Sequence, residues 1–137
     1  MSSTGKTVLI VDDEESLRML VAALIAKRGH ATFTAANGRE ALATLQSGAN
    51  IDLLVLDVVM PGVDGLQTLE EIRKAEYKLP VVLLTAKSTD EDLIGGYQRG
   101  ADYYLTKPIK PSGLLNIVDY LIGDLSAEEK TKLESLL

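Results

Sequence analysis

Apolar residues along this chain alternate between two patterns. Short continuous runs, Val8-Leu9-Ile10-Val11, Ile51-Asp52-Leu53-Leu54-Val55-Leu56 and Pro80-Val81-Val82-Leu83-Leu84, stop on Asp12-Asp13, Asp57 and Thr85, and a shorter segment, Tyr103 to Thr106, is closed by Lys107-Pro108. These read as strands. Between them, apolar residues recur at helical spacing. Leu17, Leu20, Val21, Leu24 and Ile25 predict a helix over 15–27 that stops before Gly29. Ala41, Leu42 and Leu45 predict one over 39–46, and Leu66, Leu69, Ile72 and Arg73 predict one over 66–75. Thr32-Phe33-Thr34-Ala35 is β-branched and aromatic and reads as a second strand, followed by the turn signal Asn37-Gly38. Ser88-Thr89-Asp90-Glu91 has the form of a capping box. It opens a helix reaching 99 whose Gly95-Gly96 pair, at about 1 kcal/mol per glycine, makes it the softest of the set. Pro111 stands near the start of the next helix, which ends at Ile122.

Strands alternating with helices five times predict a (βα)5 α/β domain, a doubly wound five-stranded parallel sheet of the flavodoxin-like kind with strand order 2-1-3-4-5. The polar residues that end the strands then meet at one edge of the sheet, where open α/β folds bind ligands. The domain is placed at 1–123 and a short helical tail at 124–137. In that tail Ser126-Ala127-Glu128-Glu129 is a second capping box, opening a helix with Leu133, Leu136 and Leu137. It reads as a terminal helix docked on the domain, or else as the stub of a linker. In the 111–122 helix, Leu114, Leu115, Ile117, Val118, Leu121 and Ile122 span an arc of about 160°, generous for one buried face. Part of that arc is available to the tail or to a partner.

Length and composition narrow the function classes. A chain of 137 residues suits one domain, and 46% hydrophobic with 25% charged residues describes a globular protein. The net charge of −6 argues against nonspecific binding to nucleic acid or anionic membrane, and suits a protein that gathers divalent cations. There is no cysteine, so disulfide and thiol chemistry are excluded. No apolar stretch approaches the roughly 20 residues that cross a bilayer, and the run before Asp12 is too short for a signal-peptide core. The expected location is cytoplasmic, with no membrane insertion.

Three acids, a hydroxyl and a lysine would converge at the sheet edge. A carboxylate can accept a phosphoryl group, but anion then meets anion, so the site needs positive charge. Magnesium supplies it through hard oxygen ligands, typically one or two carboxylates with waters and phosphate oxygens. Asp12 and Asp13 adjoin, so their side chains diverge; one is expected to ligate directly and the other through water. Lys107 can pair with Asp57 or with a phosphoryl oxygen, and the Thr85 hydroxyl can donate to another.

The order of these parts along the chain is more specific than any one of them. Val8-Leu9-Ile10-Val11-Asp12-Asp13-Glu14, Leu56-Asp57-Val58-Val59-Met60-Pro61-Gly62-Val63-Asp64-Gly65, Leu84-Thr85-Ala86 and Gly100-Ala101-Asp102-Tyr103-Tyr104-Leu105-Thr106-Lys107-Pro108 resemble the receiver domain of two-component response regulators. The resemblance runs from about Lys6 to Ile122. It implies that Asp57 is the phosphoacceptor, that Asp13 ligates magnesium directly and Asp12 largely through water, and that the Val59 backbone carbonyl is a third protein ligand. Thr85 and Tyr104 take the switch positions. They couple the site to the face made by the 90–99 helix, the 103–106 strand and the 111–122 helix. Val59 and Lys87 flank the phosphoryl group and are expected to slow its hydrolysis, and Lys107-Pro108 matches the family's cis peptide. The implied partners are a sensor histidine kinase or histidine phosphotransfer protein upstream and a protein effector downstream, with no direct nucleic-acid contact. The implied catalysis is confined to the protein's own phosphorylation and dephosphorylation.

Competing readings are weaker. Gly5-Lys6-Thr7 resembles the end of a P-loop, but the upstream glycine would fall before Met1 and the motif precedes its strand. His30 lies in the turn after the first helix, away from the acids, and reads as structural. A haloacid-dehalogenase-type phosphotransferase wants a second aspartate two residues beyond the first, and Val59 stands there. A receiver-like module that binds partners without phosphorylation is disfavoured by the complete set of acids, threonine and lysine.

Overall fold

The computed structural model describes residues 5–58, 65–86 and 100–137. Five parallel strands, β1 (Thr7–Val11), β2 (Ala31–Ala35), β3 (Leu53–Asp57), β4 (Val81–Thr85) and β5 (Tyr103–Thr106), form one sheet in the order β2-β1-β3-β4-β5. This is the flavodoxin-like architecture expected from the alternation of patterns. Helices α1 (Glu15–Lys27), α2 (Gly38–Gln46), α3 (Gly65–Lys74), Pro111–Ile122 and Ala127–Glu134 accompany it among the described residues. The expected 90–99 helix, its capping box at Ser88 and its Gly95-Gly96 pair lie outside the described residues.

The continuous apolar runs belong to β1, β3 and β4 because those strands are covered on both faces. Val8 to Val11, Leu53 to Leu56 and Val81 to Leu84 are completely buried. Alternate residues feed two cores. Leu9, Val11, Leu54, Leu56 and Leu83 pack with Ala41 and Leu45 of α2 and Leu69 and Ile72 of α3. On the opposite face Val8, Ile10, Val55, Val82 and Leu84 pack with Val21 and Ile25 of α1 and with Leu114, Ile117, Val118 and Ile122. The expected inner stripe of α1 is narrower than its sequence suggested: Leu20 is 52% exposed beside Met19 at 61%. The inward arc is filled by Val21 and Ile25, with Leu17 and Leu24 at its margin. Phe33 is 45% exposed because β2 is an edge strand with a neighbour on one side only.

Helix ends follow the local chemistry. Gly29 takes φ +91° after α1, where a side chain would be strained. Asn37-Gly38 is not a free turn. Asn37 caps α2, accepting from the Glu40 backbone N–H at 2.9 Å, while Glu40 Oε1 accepts from the Ala36 N–H at 3.1 Å. Gly38 is buried, and a Cβ there would come within 2.1 Å of Thr68 Oγ1, so glycine lets α2 close on α3. Ser126 and Glu129 form both halves of a capping box at the terminal helix, which buries no residue and has Pro111–Ile122 as its main neighbour.

Candidate functional site

The strand order reverses between β1 and β3: the chain moves outward from β1 to β2, then returns to β3 and continues to β4 and β5. The crevice at the carboxyl ends of the two strands flanking such a switch point is the expected binding position. Asp12 and Asp13 follow β1 there and Asp57 ends β3. Carboxylate oxygens from all three lie within 4.8 Å of one another. Asp12 and Asp57 are 0% and 2% exposed, whereas Asp13 is exposed.

Asp12 and Asp57 are held by their surroundings. The Asp12 N–H donates to Ala35 O at 3.1 Å, extending the β1–β2 ladder past the strand. Its Oδ1 accepts from the Glu14 N–H at 2.9 Å, and its carbonyl accepts from Arg18 Nη1 at 2.8 Å. Asp12 Oδ2 is buried and has no hydrogen-bond partner among the described residues. Asp57 pairs with Lys107, Oδ1 to Nζ 3.2 Å. Beyond it the Val58 N–H donates to Leu84 O at 2.8 Å and the Gly65 N–H to Val58 O at 2.7 Å, which brings the start of α3 against the end of β3. Gly65 is required there. A Cβ would lie 2.1 Å from Asp57 O.

Thr85 and Lys107 come from neighbouring strands. The Lys107 N–H donates to Thr85 O at 2.6 Å, and the Lys107-Pro108 peptide is cis, as in the family it resembles. Tyr104 is 9% exposed and belongs to the α2/α3 core with Val81 and Leu83. It is paired in register with Leu83, and alternation along β4 puts Leu83 and Thr85 on one side. Thr85 and Tyr104 thus share a face, which sequence alone left open. Val59 and Lys87 lie outside the described residues.

Magnesium suits these residues. Among the described residues three carboxylates stand against one ammonium, and a buried carboxylate oxygen without a donor there is what a hard cation would satisfy. Arg18 is not singled out by the sequence, and Gly65 stands there only as the last residue of the Leu56 to Gly65 motif, with no role given. The only signals were an arginine six residues after an acid and a glycine after the loop aspartate. The other candidates fall elsewhere: His30 lies at the far end of β1, where its Nδ1 accepts from the Lys6 N–H at 3.0 Å, a structural role. Among the described residues no helix is long and apolar enough to cross a membrane.

The comparisons agree with this geometry. Residues 8–119 match the response regulator receiver domain. The chain is 40% identical over 105 residues to the transcriptional regulatory protein TcrA of Mycobacterium tuberculosis, covering 77% of this chain and 41% of that protein. It is 39% identical over 107 residues to the alkaline phosphatase synthesis transcriptional regulatory protein PhoP of Bacillus subtilis, covering 78% and 44%. The chain therefore spans less than half the length of these relatives. The structure of the Vibrio cholerae chemotaxis protein CheY4 is similar with a TM-score of 0.80 and 35% identity, covering 85% of this chain and 98% of that one. With the acids, threonine and lysine gathered at the switch point, the match along most of its length places this chain in the family of response regulator receiver domains.

Proposed function

We propose that Asp57 accepts a phosphoryl group from a histidine kinase or a histidine phosphotransfer protein in a magnesium-dependent reaction, and that the domain signals by changing a binding face. The observation that carries this is a nearly buried carboxylate held 3.2 Å from a lysine ammonium, beside two further acids of which one has an unpartnered buried oxygen. A carboxylate oxygen of Asp57 attacks the donor's phosphorus; a P–O bond forms, the P–N bond to the donor imidazole breaks, and the imidazole leaves. Lys107 accompanies the transfer as a counter-charge, and the Thr85 hydroxyl donates to a phosphoryl oxygen. Bound by Asp12, Asp13, Asp57 and the Val59 carbonyl, magnesium would supply the positive charge that lets one more anion enter.

The shared face of Thr85 and Tyr104 supports coupling from the site to the 103–106 strand and its flanking helices. A protein effector is the proposed reader. The net charge of −6 disfavours direct nucleic-acid binding by this domain, and cytoplasmic placement follows from the proposed donors. The receiver is placed at 1–123, with 124–137 as an appended helix. A second reading, in which this receiver is one part of a longer regulator, is favoured by the greater length of TcrA and PhoP.

Incubation with acetyl phosphate and magnesium tests the assignment. Intact-mass measurement should show one added phosphoryl group, absent in Asp57→Asn and strongly reduced in EDTA. Comparable labelling of Asp57→Asn, or full labelling in EDTA, would contradict it.

A further inference from the structure

We propose that Arg18 is a positioning residue that sets the orientation of both adjacent acids, Asp12 and Asp13, toward the metal. Its Nη1 donates to the Asp12 carbonyl oxygen at 2.8 Å from the first turns of α1. That oxygen and the Asp13 nitrogen belong to the same planar peptide unit, so holding the carbonyl holds the plane from which both Cα–Cβ bonds diverge. Asp12 is then tied at its amide by Ala35 O, at its carbonyl by Arg18 and at Oδ1 by the Glu14 N–H, and its remaining polar atom, Oδ2, is buried without a partner among the described residues. Three ties and one unpartnered oxygen describe a ligand aimed in advance. Arg18 also satisfies a carbonyl that the sheet cannot reach, because β1 ends at Val11.

The charge of Arg18 runs against this role, which makes the inference sharp. A guanidinium near a cation site repels the cation, so by charge alone its removal would tighten magnesium binding. Orientation predicts the opposite. Residues that orient metal ligands typically contribute about tenfold or more to affinity.

The inference rests on the magnesium reading above, and one experiment separates the two. Magnesium is titrated calorimetrically into the full chain, Arg18→Met and Arg18→Lys, with melting followed by circular dichroism in EDTA. Methionine keeps an unbranched apolar stem and a good helix former, so α1 is retained. The expected result is about tenfold weaker magnesium binding in Arg18→Met. Arg18→Lys, which keeps the charge and an N–H donor, should recover most of that affinity. Unchanged or tighter binding in Arg18→Met overturns the inference, as does a loss of melting temperature in EDTA with no change in affinity. Equal loss in both variants also overturns it, since a single donated bond would then not be the cause. Absence of magnesium binding by the unaltered chain would overturn the metal reading itself.

Discussion

Lys107 Nζ stands 3.2 Å from Asp57 Oδ1, joining a lysine that is 27% exposed to an aspartate that is 2% exposed. The pair is asymmetric: Lys107 can turn toward solvent or toward an incoming anion, whereas Asp57 is fixed at the end of β3. Removing the lysine leaves a buried carboxylate beside two others. Lys107→Met should therefore destabilise the protein in EDTA at neutral pH by about 1–3 kcal/mol. The double variant with Asp57→Asn should lose less than the sum of the two single changes. Urea unfolding of the four proteins measures this. Additive losses would show that the pair is not coupled.

Crowding of the three acids makes the site itself a source of instability without a cation. Neutralising Asp13 by Asp13→Asn should stabilise the protein in EDTA by about 1 kcal/mol, a few degrees in melting temperature for a chain of this size. It should also remove most of the stabilisation that magnesium gives the unaltered chain. Melting with and without magnesium checks both statements. A lower melting temperature in EDTA would mean that Asp13 has a structural role.

His30 should give the fold a dependence on mildly acidic pH. Burial lowers its pKa below 6.5, nearby Asp119 and Asp52 oppose this, and Arg28 and Lys6 add to it. Its Nδ1 must also be unprotonated to accept from the Lys6 N–H. A depressed histidine pKa means that the unfolded chain binds the proton first. The stability that His30 contributes is complete above pH 6.5 and is lost as pH falls from there through the folded-state value. His30→Asn, which offers an amide oxygen to the same N–H, should flatten the pH dependence below 6.5 relative to the unaltered chain. Denaturant midpoints from pH 7.5 to pH 5 compare them, and parallel curves would reject the assignment.

Glu76 takes φ +69° just after α3, the left-handed position that glycine occupies at many helix ends. Its N–H donates to Arg73 O at 2.9 Å and the following Tyr77 N–H to Ile72 O at 3.3 Å, so the conformation is held by the end of the helix. Glu76→Gly should raise stability by about 0.5–1 kcal/mol, since glycine adopts this φ without strain. The cost of extra freedom in the unfolded chain sets the upper limit. A loss of stability would mean that the glutamate side chain makes a compensating contact.

Much of this protein was legible in one dimension. Apolar runs buried on both faces, helical spacing between them and the capping box at Ser126 are local patterns, and they yielded the strands, the parallel sheet and the edge at which Asp12, Asp13, Asp57, Thr85 and Lys107 meet. What depended on segments far apart in the chain was not legible. Gly38 is glycine because Thr68 lies against it, and Gly65 is glycine because the Asp57 carbonyl does, yet each reads locally as part of a turn. Leu20 fits the helical period of α1, but the arc of that helix facing the sheet is already filled by its own Val21 and Ile25. Arg18 was one charged residue among many until the end of β1 left a carbonyl within its reach. Residue type and spacing determine which elements form and which face is apolar; only the packed chain decides which polar atoms find partners and which, like Asp12 Oδ2, are buried with none among the described residues.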